Sequence, residues 1–173
     1  MRVGLVADTH GLADPRLERL FRGCALILHA GDVTGPAVLE ALAAIAPVRA
    51  ARGNNDLGPF GESLPLTLRE GLGRLSALVV HELWAPGRLS AHARAAFARE
   101  RPDVVVFGHS HRAGVEVGEG VLYLNPGSAG PRRFHLPRSA AVLEVRGRSA
   151  VFTVHDLERH DLGPLLEPYR AAL

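Results

Sequence analysis

The sequence predicts an α/β protein in which two mixed β-sheets pack together and carry helices on their outer faces. Short apolar runs alternate with helical patterns in the first half of the chain, as in a parallel sheet. The second half contains more strand-like runs, separated by glycine turns. The chain has 173 residues, of which 47% are hydrophobic and 22% are charged, and such a chain supports one folded core. We therefore expect a single domain over residues 1–173.

The first half is predicted to form a βαβαβ unit. Val3–Ala7 is a continuous apolar run, which is typical of a buried parallel strand. Asp14 and Pro15 predict a helix start, because aspartate caps helix N-termini and proline is favoured at the first position. The elements that follow are a strand at Ala25–His29, a helix opened by Thr34-Gly35-Pro36 and a strand at Val48–Ala51. The apolar residues expected on the inner helix faces are Leu17, Leu20, Phe21, Val38, Leu39, Leu42 and Ile45.

The second half is predicted to form the second sheet. Leu64–Leu68 and Leu75–His81 are separated by Gly71 and Gly73, which favours a hairpin. A helix is expected at Arg88–Arg101, with Leu89, His92, Ala96 and Phe97 on one side, before a buried strand at Asp103–Phe107. Four more runs are expected to form a meander in this sheet: Gly114–Val117, Val121–Leu124, Ala140–Val145 and Val151–Val154.

The composition excludes several classes of protein. The single Cys24 excludes an intramolecular disulfide framework and every multi-cysteine zinc motif. No apolar run reaches the roughly 18 residues that span a membrane, and the first residues enter a strand pattern directly, unlike a signal peptide. The predicted location is therefore the cytoplasm. The net charge of +2 is no strong nucleic-acid signal, whereas nine histidines are notable because histidine often binds metals.

Polar side chains follow five of the predicted strands, at the point where each strand ends. In chain order they are Asp8 and His10, Asp32, Asn54, His81, and His109 with His111. The carboxyl ends of strands in α/β sheets gather at one edge, where ligands bind. We therefore expect these side chains to converge, although they are separated by more than half of the chain.

The seven side chains offer oxygen and imidazole nitrogen but no thiolate, a set that suits Mn²⁺, Fe²⁺, Zn²⁺, Co²⁺ or Ni²⁺. Seven ligands are too many for one ion and predict two ions that share a carboxylate. The Asp-x-His and His-x-His spacings place alternate side chains on the same side if the strand geometry persists. Each motif alone is more typical of a turn or of a structural histidine, so the prediction depends on their combination.

The ordered motifs resemble those of the calcineurin-like metallophosphoesterase superfamily. They are Asp8-Thr9-His10, Gly31-Asp32, Gly53-Asn54-Asn55-Asp56, His81 and Gly108-His109-Ser110-His111. Asn125-Pro126-Gly127-Ser128, with Pro131-Arg132 after it, is similar to the small bacterial and archaeal phosphodiesterase branch. The retromer subunit has a similar fold and uses it as a protein-interaction scaffold.

The resemblance implies a four-layer α/β/β/α sandwich and a division of the ligands between two ions. One ion would be held by Asp8, His10, Asp32 and His111. The other would be held by Asp32, Asn54, His81 and His109, so that Asp32 bridges the two.

The resemblance also implies hydrolysis of a phosphodiester. Two divalent ions, with Mn²⁺ favoured and Fe, Zn, Co or Ni as alternatives, would bind a bridging water and lower its pKa. The resulting hydroxide would attack phosphorus in line with the leaving oxygen, while the metals offset the developing charge. Asn54, Asp32 and His111 are the residues expected to act in catalysis. The expected partner is a small or nucleotide-like phosphodiester, without a membrane, and a homo-oligomer is compatible with so small a fold.

Two positions depart from the family pattern. Many members have a histidine where this chain has Asn55, and that histidine is the usual candidate to protonate the leaving group. An amide donates hydrogen bonds but is not a practical general acid. Glu82 stands where the family usually has glycine. It is interpreted as a solvated charge or, less favoured, as an acceptor that orients a metal-binding histidine.

Three other functions remain as alternatives. A non-catalytic scaffold is disfavoured because all seven ligand positions are intact. A phosphomonoesterase is disfavoured because Asn55 replaces the usual proton donor. A nuclease is disfavoured because the sequence contains no basic stripe. Arg132 and Arg133 are candidates to bind a phosphate, or they form a solvated basic loop. The Asn-Pro-Gly-Ser segment is a candidate to bind an anion, although an ordinary turn is slightly favoured. The other histidines are expected to be structural or without a role: His29, His92, His135, His155 and His160.

Overall fold

Eleven strands and four helices form the described part of the computed structural model, which covers residues 1–83, 90–133 and 135–173. The strands are β1 (Arg2–Val6), β2 (Leu26–His29), β3 (Val48–Ala50), β4 (Thr67–Leu72), β5 (Leu75–Val80), β6 (Val104–Val106), β7 (Gly114–Gly118), β8 (Val121–Asn125), β9 (Ser139–Arg146), β10 (Ser149–Asp156) and β11 (Tyr169–Ala172). The helices are α1 (Arg16–Phe21), α2 (Pro36–Ala43), α3 (Gly58–Ser63) and α4 (Ala91–Arg99). None of the helices in the described ranges is long and apolar enough to cross a membrane.

Both sheets are mixed. The first has the order β11-β10-β9-β1-β2-β3, in which β1, β2 and β3 are parallel and β9 runs antiparallel to β1. The second has the order β4-β5-β6-β8-β7, in which β5, β6 and β8 are parallel and the two edge strands are antiparallel. The polar loops after β1, β2, β3, β5 and β6 therefore leave parallel strands, as the sequence predicts.

The two sheets pack face to face between layers of helices, which confirms the predicted α/β/β/α order. Leu5 and Leu28 of the first sheet share one buried cluster with Val79 and Val106 of the second. The outer face of the first sheet packs against α1 and α2, and the outer face of the second packs against α4. The apolar positions of α1 that the sequence places inward are buried, because each contributes to the helix–sheet layer.

The strands β9 and β10 correct the predicted meander. They belong to the first sheet, where Val3 pairs with Leu143 of β9, whereas β7 and β8 remain in the second. Alternate residues of β9 face the two apolar layers, so the strand is buried on both sides up to Leu143, whereas Glu144 and Arg146 are exposed. Pairing with β9 satisfies the backbone groups along the free side of β1, which would otherwise be buried without partners.

Smaller differences concern the middle and the end of the chain. The predicted strand Leu64–Leu68 begins three residues later, as β4, because α3 with its Pro59 occupies the segment before it. The hairpin itself is confirmed, with Leu72 paired to Leu75 across a turn that contains Gly73. Of the predicted helix Arg88–Arg101, the structure shows α4, while Arg88 and Leu89 lie outside the described residues. The sequence missed α3 and β11.

Candidate metal centre

Sharp loops, and not continued strands, bring the predicted ligands together. Five of the seven have positive φ angles: Asp8 (53°), His10 (46°), Asp32 (57°), His109 (67°) and His111 (58°). Such left-handed conformations are uncommon for residues other than glycine and concentrate at functional sites. The expectation that alternation along a strand aligns the Asp-x-His and His-x-His pairs is therefore wrong, because the chain turns at each of these residues.

One half of the cluster contains Asp8, His10 and His111. The Nε2 atoms of the two histidines lie 3.3 Å apart, and His111 Nε2 lies 3.5 Å from Asp8 Oδ1. One ligand atom from each of the three residues falls within 4.8 Å of the others. Asp8 and His111 are buried, so the atoms face a site largely shielded from solvent.

The other half contains Asn54, His81 and His109. Asn54 Oδ1 lies 2.9 Å from His81 Nε2 and 2.9 Å from His109 Nδ1. The amide oxygen thus points at two imidazole nitrogens, which suits a metal ligand. His81 Nδ1 donates to the Ala30 carbonyl oxygen at 2.8 Å. This contact leaves Nε2 facing the cluster, where the neutral ring could bind a metal through its lone pair.

Asp32 lies between the two halves. Its Oδ2 is 3.8 Å from His10 Nε2, and its Oδ1 is 3.4 Å from His81 Nε2. A second compact group joins Asp32 to Asp8 and His81. One carboxylate thus presents a separate oxygen to each half, which is the arrangement expected of a bridging ligand.

The donor set fits divalent metal ions. The structure brings all seven predicted residues to one edge shared by the two sheets, and it offers carboxylate, amide and imidazole groups without a thiolate. Two overlapping groups of ligand atoms fit two neighbouring ions better than one ion.

Burial and mutual charge perturb the titration of the cluster. Burial raises the pKa of Asp8 to about 7. Burial also lowers the pKa of His111 to about 4, with help from the charges of His10 and Arg133. Burial alone would lower the pKa of His81. The hydrogen bond and the negative charge of Asp32 outweigh this effect, so the pKa of His81 is raised. The pKa of Asp32 is lowered: burial opposes ionisation, but His81 and Asn55 stabilise the carboxylate. A bound cation would favour the ionised form of Asp8.

Asp56 holds the loop of Asp32 in place. Its buried carboxylate accepts hydrogen bonds from the backbone N–H groups of Asp32 (3.0 Å), Thr34 (2.7 Å) and Gly53 (2.7 Å). In the sequence, Asp56 is recognisable only as the last residue of the Gly53-Asn54-Asn55-Asp56 motif. The structure shows that it also connects the ends of β2 and β3.

Two glycines of the motifs are required by close packing. Gly31 has a φ angle of +91°, and a Cβ atom there would lie 2.7 Å from His81 Nδ1. A Cβ atom on Gly53 would lie 2.1 Å from the backbone nitrogen of Asp32. Any side chain at either position would displace a predicted ligand.

His29 is a hydrogen-bonded core residue, as the sequence predicts. Its Nδ1 accepts from the Gly31 N–H at 3.1 Å, so Nε2 carries the proton and donates to Thr9 Oγ1 at 2.9 Å. Burial lowers the pKa of this histidine to about 3. The neutral ring thereby joins the loop after β1 to the loop after β2.

The Asn-Pro-Gly-Ser segment supports two ligand loops. The Asn125 side chain donates to the Gly108 carbonyl oxygen at 3.0 Å and to Ser110 Oγ at 3.1 Å. Ser128 Oγ and the Gly130 N–H both donate to the Asp8 carbonyl oxygen at 3.0 Å. These contacts agree with the turn that the sequence slightly favours. They also give this turn a positioning role that sequence spacing does not reveal.

The two departures from the family pattern have different surroundings. Asn55 donates to Asp32 through its backbone N–H at 2.8 Å and its side-chain amide at 2.6 Å, so it helps to orient Asp32. Glu82 does not orient His81, because both nitrogens of that ring face other groups. Instead Glu82 lines a cavity beside the cluster.

The remaining polar residues that the sequence singles out have different surroundings. Arg132 pairs with Glu158 at 3.6 Å, whereas the charge of Arg133 acts on the cluster, where it contributes to the lowered pKa of His10 and His111. His155 Nδ1 donates to the Leu162 carbonyl oxygen at 2.7 Å. The residues His92, His135 and His160 are exposed, and Cys24 is buried.

The fold and the cluster define a class of protein: an α/β sandwich with a site for divalent metals at the edge that its two sheets share. The model of the calcineurin-like phosphoesterase superfamily domain matches residues 1–148, and the chain belongs to this superfamily.

Several proteins similar in sequence are named probable metallophosphoesterases, and two of them match most of this chain. The chain is 31% identical over 153 residues to a probable metallophosphoesterase of Methanothermobacter thermautotrophicus. The matched region covers 85% of this chain and 87% of the relative. The chain is also 31% identical over 171 residues to the probable metallophosphoesterase YsnB of Bacillus subtilis. This match covers 95% of this chain and 96% of the relative. The chain is thus a member of a family of probable metallophosphoesterases.

Solved structures share the fold over nearly the whole chain. Vps29 of Chaetomium thermophilum superposes with a TM-score of 0.79 at 20% identity, over 99% of this chain and 97% of that chain. Vps29 of Entamoeba histolytica complexed with Zn²⁺ has a TM-score of 0.74 at 22% identity, over 99% and 98%. The phosphoesterase Yfce from E. coli has a TM-score of 0.73 at 25% identity, over 99% of each chain.

Proposed function

We propose that this protein is a metal-dependent phosphodiesterase that hydrolyses small or nucleotide-like phosphodiesters. The observation that carries the proposal is the position of Asp32, whose two carboxylate oxygens face His10 in one half of the cluster and His81 in the other. Membership of the calcineurin-like superfamily supports the same reaction class.

The proposed roles follow from the contacts within the cluster. Two divalent ions held there would lower the pKa of a shared water and offset negative charge on the phosphoryl oxygens. Asp8, His10, Asp32 and His111 would hold one ion, and Asp32, Asn54, His81 and His109 the other. Asn54 is exposed, so its side-chain NH₂ group can also donate to a phosphoryl oxygen. His111 Nε2 and Asp32 Oδ2 lie 3.3 Å and 3.8 Å from His10 Nε2, and these two groups would orient the reacting groups.

A diester is favoured over a monoester by two features. Both donors of Asn55 that the structure shows point at Asp32, so this residue supplies no acid for a poor leaving group. A cavity beside Asn54 and His81 also offers room for an ester group next to phosphorus. We propose Mn²⁺ as the native metal, and the zinc in a similarly folded Vps29 makes Zn²⁺ the alternative to test.

The proposal is tested by a hydrolysis screen with excess Mn²⁺ or Zn²⁺. Bis(p-nitrophenyl) phosphate, p-nitrophenyl phosphate and cyclic nucleotides are the substrates, and wild-type protein is compared with Asp32→Asn. We expect turnover of diesters by the wild type, and a loss of at least about a hundredfold in Asp32→Asn. Metal analysis should find that the variant retains neither ion, because Asp32 is the shared ligand.

Three outcomes would contradict parts of this assignment. Turnover of the monoester alone would exclude the phosphodiesterase reaction. Full activity and two ions in Asp32→Asn would exclude Asp32 as the bridge. Binding of no metal and turnover of no substrate by the wild type would instead favour a scaffold.

A further inference from the structure

A cavity of about 220 Å³ opens directly beside one half of the cluster of predicted metal ligands. Asn54 and His81 belong both to the cluster and to the cavity wall. A phosphorus atom held at the cluster would therefore have this cavity next to it. One of the two ester groups of a phosphodiester can enter the cavity while the phosphate remains at the cluster.

The size and lining of the cavity limit what it can hold. Sites for drug-sized ligands occupy roughly 300–1,000 Å³, so this cavity suits one small substituent. Leu66 and Val80 give the wall an apolar part, and Arg52, Glu82 and His92 give it a polar part. Such a wall suits a small organic group with a few polar atoms.

The two charged groups on the wall have different neighbours. Arg52 Nε donates to the Asp56 carbonyl oxygen at 3.2 Å, which holds this side chain close to the loop of Asn54. Within the described ranges Glu82 has no hydrogen bond or ion pair to another residue. Every phosphodiester carries a negative phosphate, and the positive charge of Arg52 complements it. Glu82 is therefore the charge that distinguishes one ester group from another.

We propose that Glu82 makes this cavity the binding site for a cationic or hydroxyl-bearing ester group and that it excludes anionic ester groups. The proposal rests on the proposed phosphodiesterase function and assigns a specificity to it. A carboxylate accepts hydrogen bonds from ammonium or hydroxyl groups, and it repels a second carboxylate or phosphate. The departure of Glu82 from the family's glycine thereby acquires a role in substrate selection.

The test uses three p-nitrophenyl phosphodiesters that differ only in the second ester group. This group is choline (cationic), 2-hydroxyethyl (neutral) or 2-carboxyethyl (anionic). With wild-type protein we expect kcat/KM to decrease in that order, with a total range of about tenfold or more. Glu82→Gln keeps the shape of the side chain and should reduce this range to about twofold. High salt should reduce the range in the wild type as well.

Glu62→Gln is the matched control, because Glu62 is exposed on α3, is not on the cavity wall, and its replacement changes the net charge equally. This variant should keep the wild-type order of substrates. Calorimetry gives a second readout: wild-type protein should bind phosphocholine more tightly than inorganic phosphate, and Glu82→Gln should lose that difference.

The experiment distinguishes a wrong assignment of Glu82 to substrate selection from a wrong assignment of the phosphodiesterase activity. If the wild type hydrolyses the three diesters at equal rates, or if Glu82→Gln keeps the full wild-type range of about tenfold, Glu82 does not select the substrate. If no diester is hydrolysed while metal is bound, the phosphodiesterase function itself is wrong.

Discussion

Arg132 and Arg133 are adjacent in the chain, yet their charges act on different parts of the molecule. Arg132 forms an exposed ion pair with Glu158. Arg133 belongs to the loop that Gly130 fixes to the Asp8 carbonyl oxygen, and its charge lowers the pKa of His10 and His111. Arg132 is therefore an ion-paired cation at the surface, whereas the charge of its neighbour Arg133 acts on the candidate active site.

We predict that Arg133→Ala raises KM for a phosphodiester about threefold to tenfold, because the variant loses a cation near the bound phosphate. An NMR titration of the metal-free variant should also show higher pKa values for His10 and His111. Arg132→Ala should leave both quantities unchanged, since its charge is already paired at the surface. Equal effects of the two substitutions would contradict a specific role for Arg133.

At the scale of elements, turns far apart in the chain position the ligand loops. The turn after β8 contacts the loop after β6 through Asn125, and it contacts the loop after β1 through Ser128. Asp56, after β3, holds the loop after β2. Because five of the seven predicted ligands adopt left-handed conformations, their positions depend on such contacts with neighbouring loops.

We predict that Asn125→Ala lowers the free energy of unfolding by about 1–3 kcal/mol, because buried donors and acceptors lose their partners. Divalent metal should bind about 10–100-fold more weakly, as the Gly108–Ser110 loop loses its support. Ser128→Ala should have smaller effects, because the Gly130 N–H still donates to the Asp8 carbonyl oxygen. Urea denaturation and metal titration measure the two quantities. A variant as stable and as avid for metal as the wild type would refute this role.

At the scale of the whole molecule, the cluster connects the two sheets. Asp8, His10, Asp32 and Asn54 follow strands of the first sheet, and His81, His109 and His111 follow strands of the second. A metal bound only by the folded chain stabilises that fold by mass action. Ions at this edge would therefore hold the two sheets together.

The metal-dependent gain in Tm is predicted to be larger at pH 8 than at pH 6. The pKa of Asp8 is raised to about 7 and that of His81 is also raised, so the metal-free fold retains these protons at pH 6. Metal binding must displace them, which weakens it as the pH falls. A raised pKa also stabilises the metal-free fold at low pH, and this stability is lost as the pH rises through the folded-state pKa. The same protons thus account both for the greater stability of the metal-free fold at pH 6 and for its smaller gain from metal.

Differential scanning calorimetry with and without Mn²⁺ measures this difference. At one free metal concentration, about 100 times the Kd measured at pH 8, we expect a gain of about 2.7 kcal/mol at pH 8, or roughly 5–10 °C, and a smaller gain at pH 6. Asp32→Asn should show almost no gain at either pH. A gain in the wild type that is larger at pH 6 would contradict the assignment of Asp8 and His81 to the site.

The sequence alone was sufficient for the layers, most strands and the residues that meet at the sheet edge. Apolar periodicity reflects burial, and the strand ends of parallel units share one edge, so the sequence predicts that Asp8, Asp32 and His81 meet there. The sheet that β9 joins, the turn chemistry of Asn125 and the surroundings of Glu82 depended on the tertiary structure. Those features are contacts between segments far apart in the chain, and local patterns of residues do not encode such contacts.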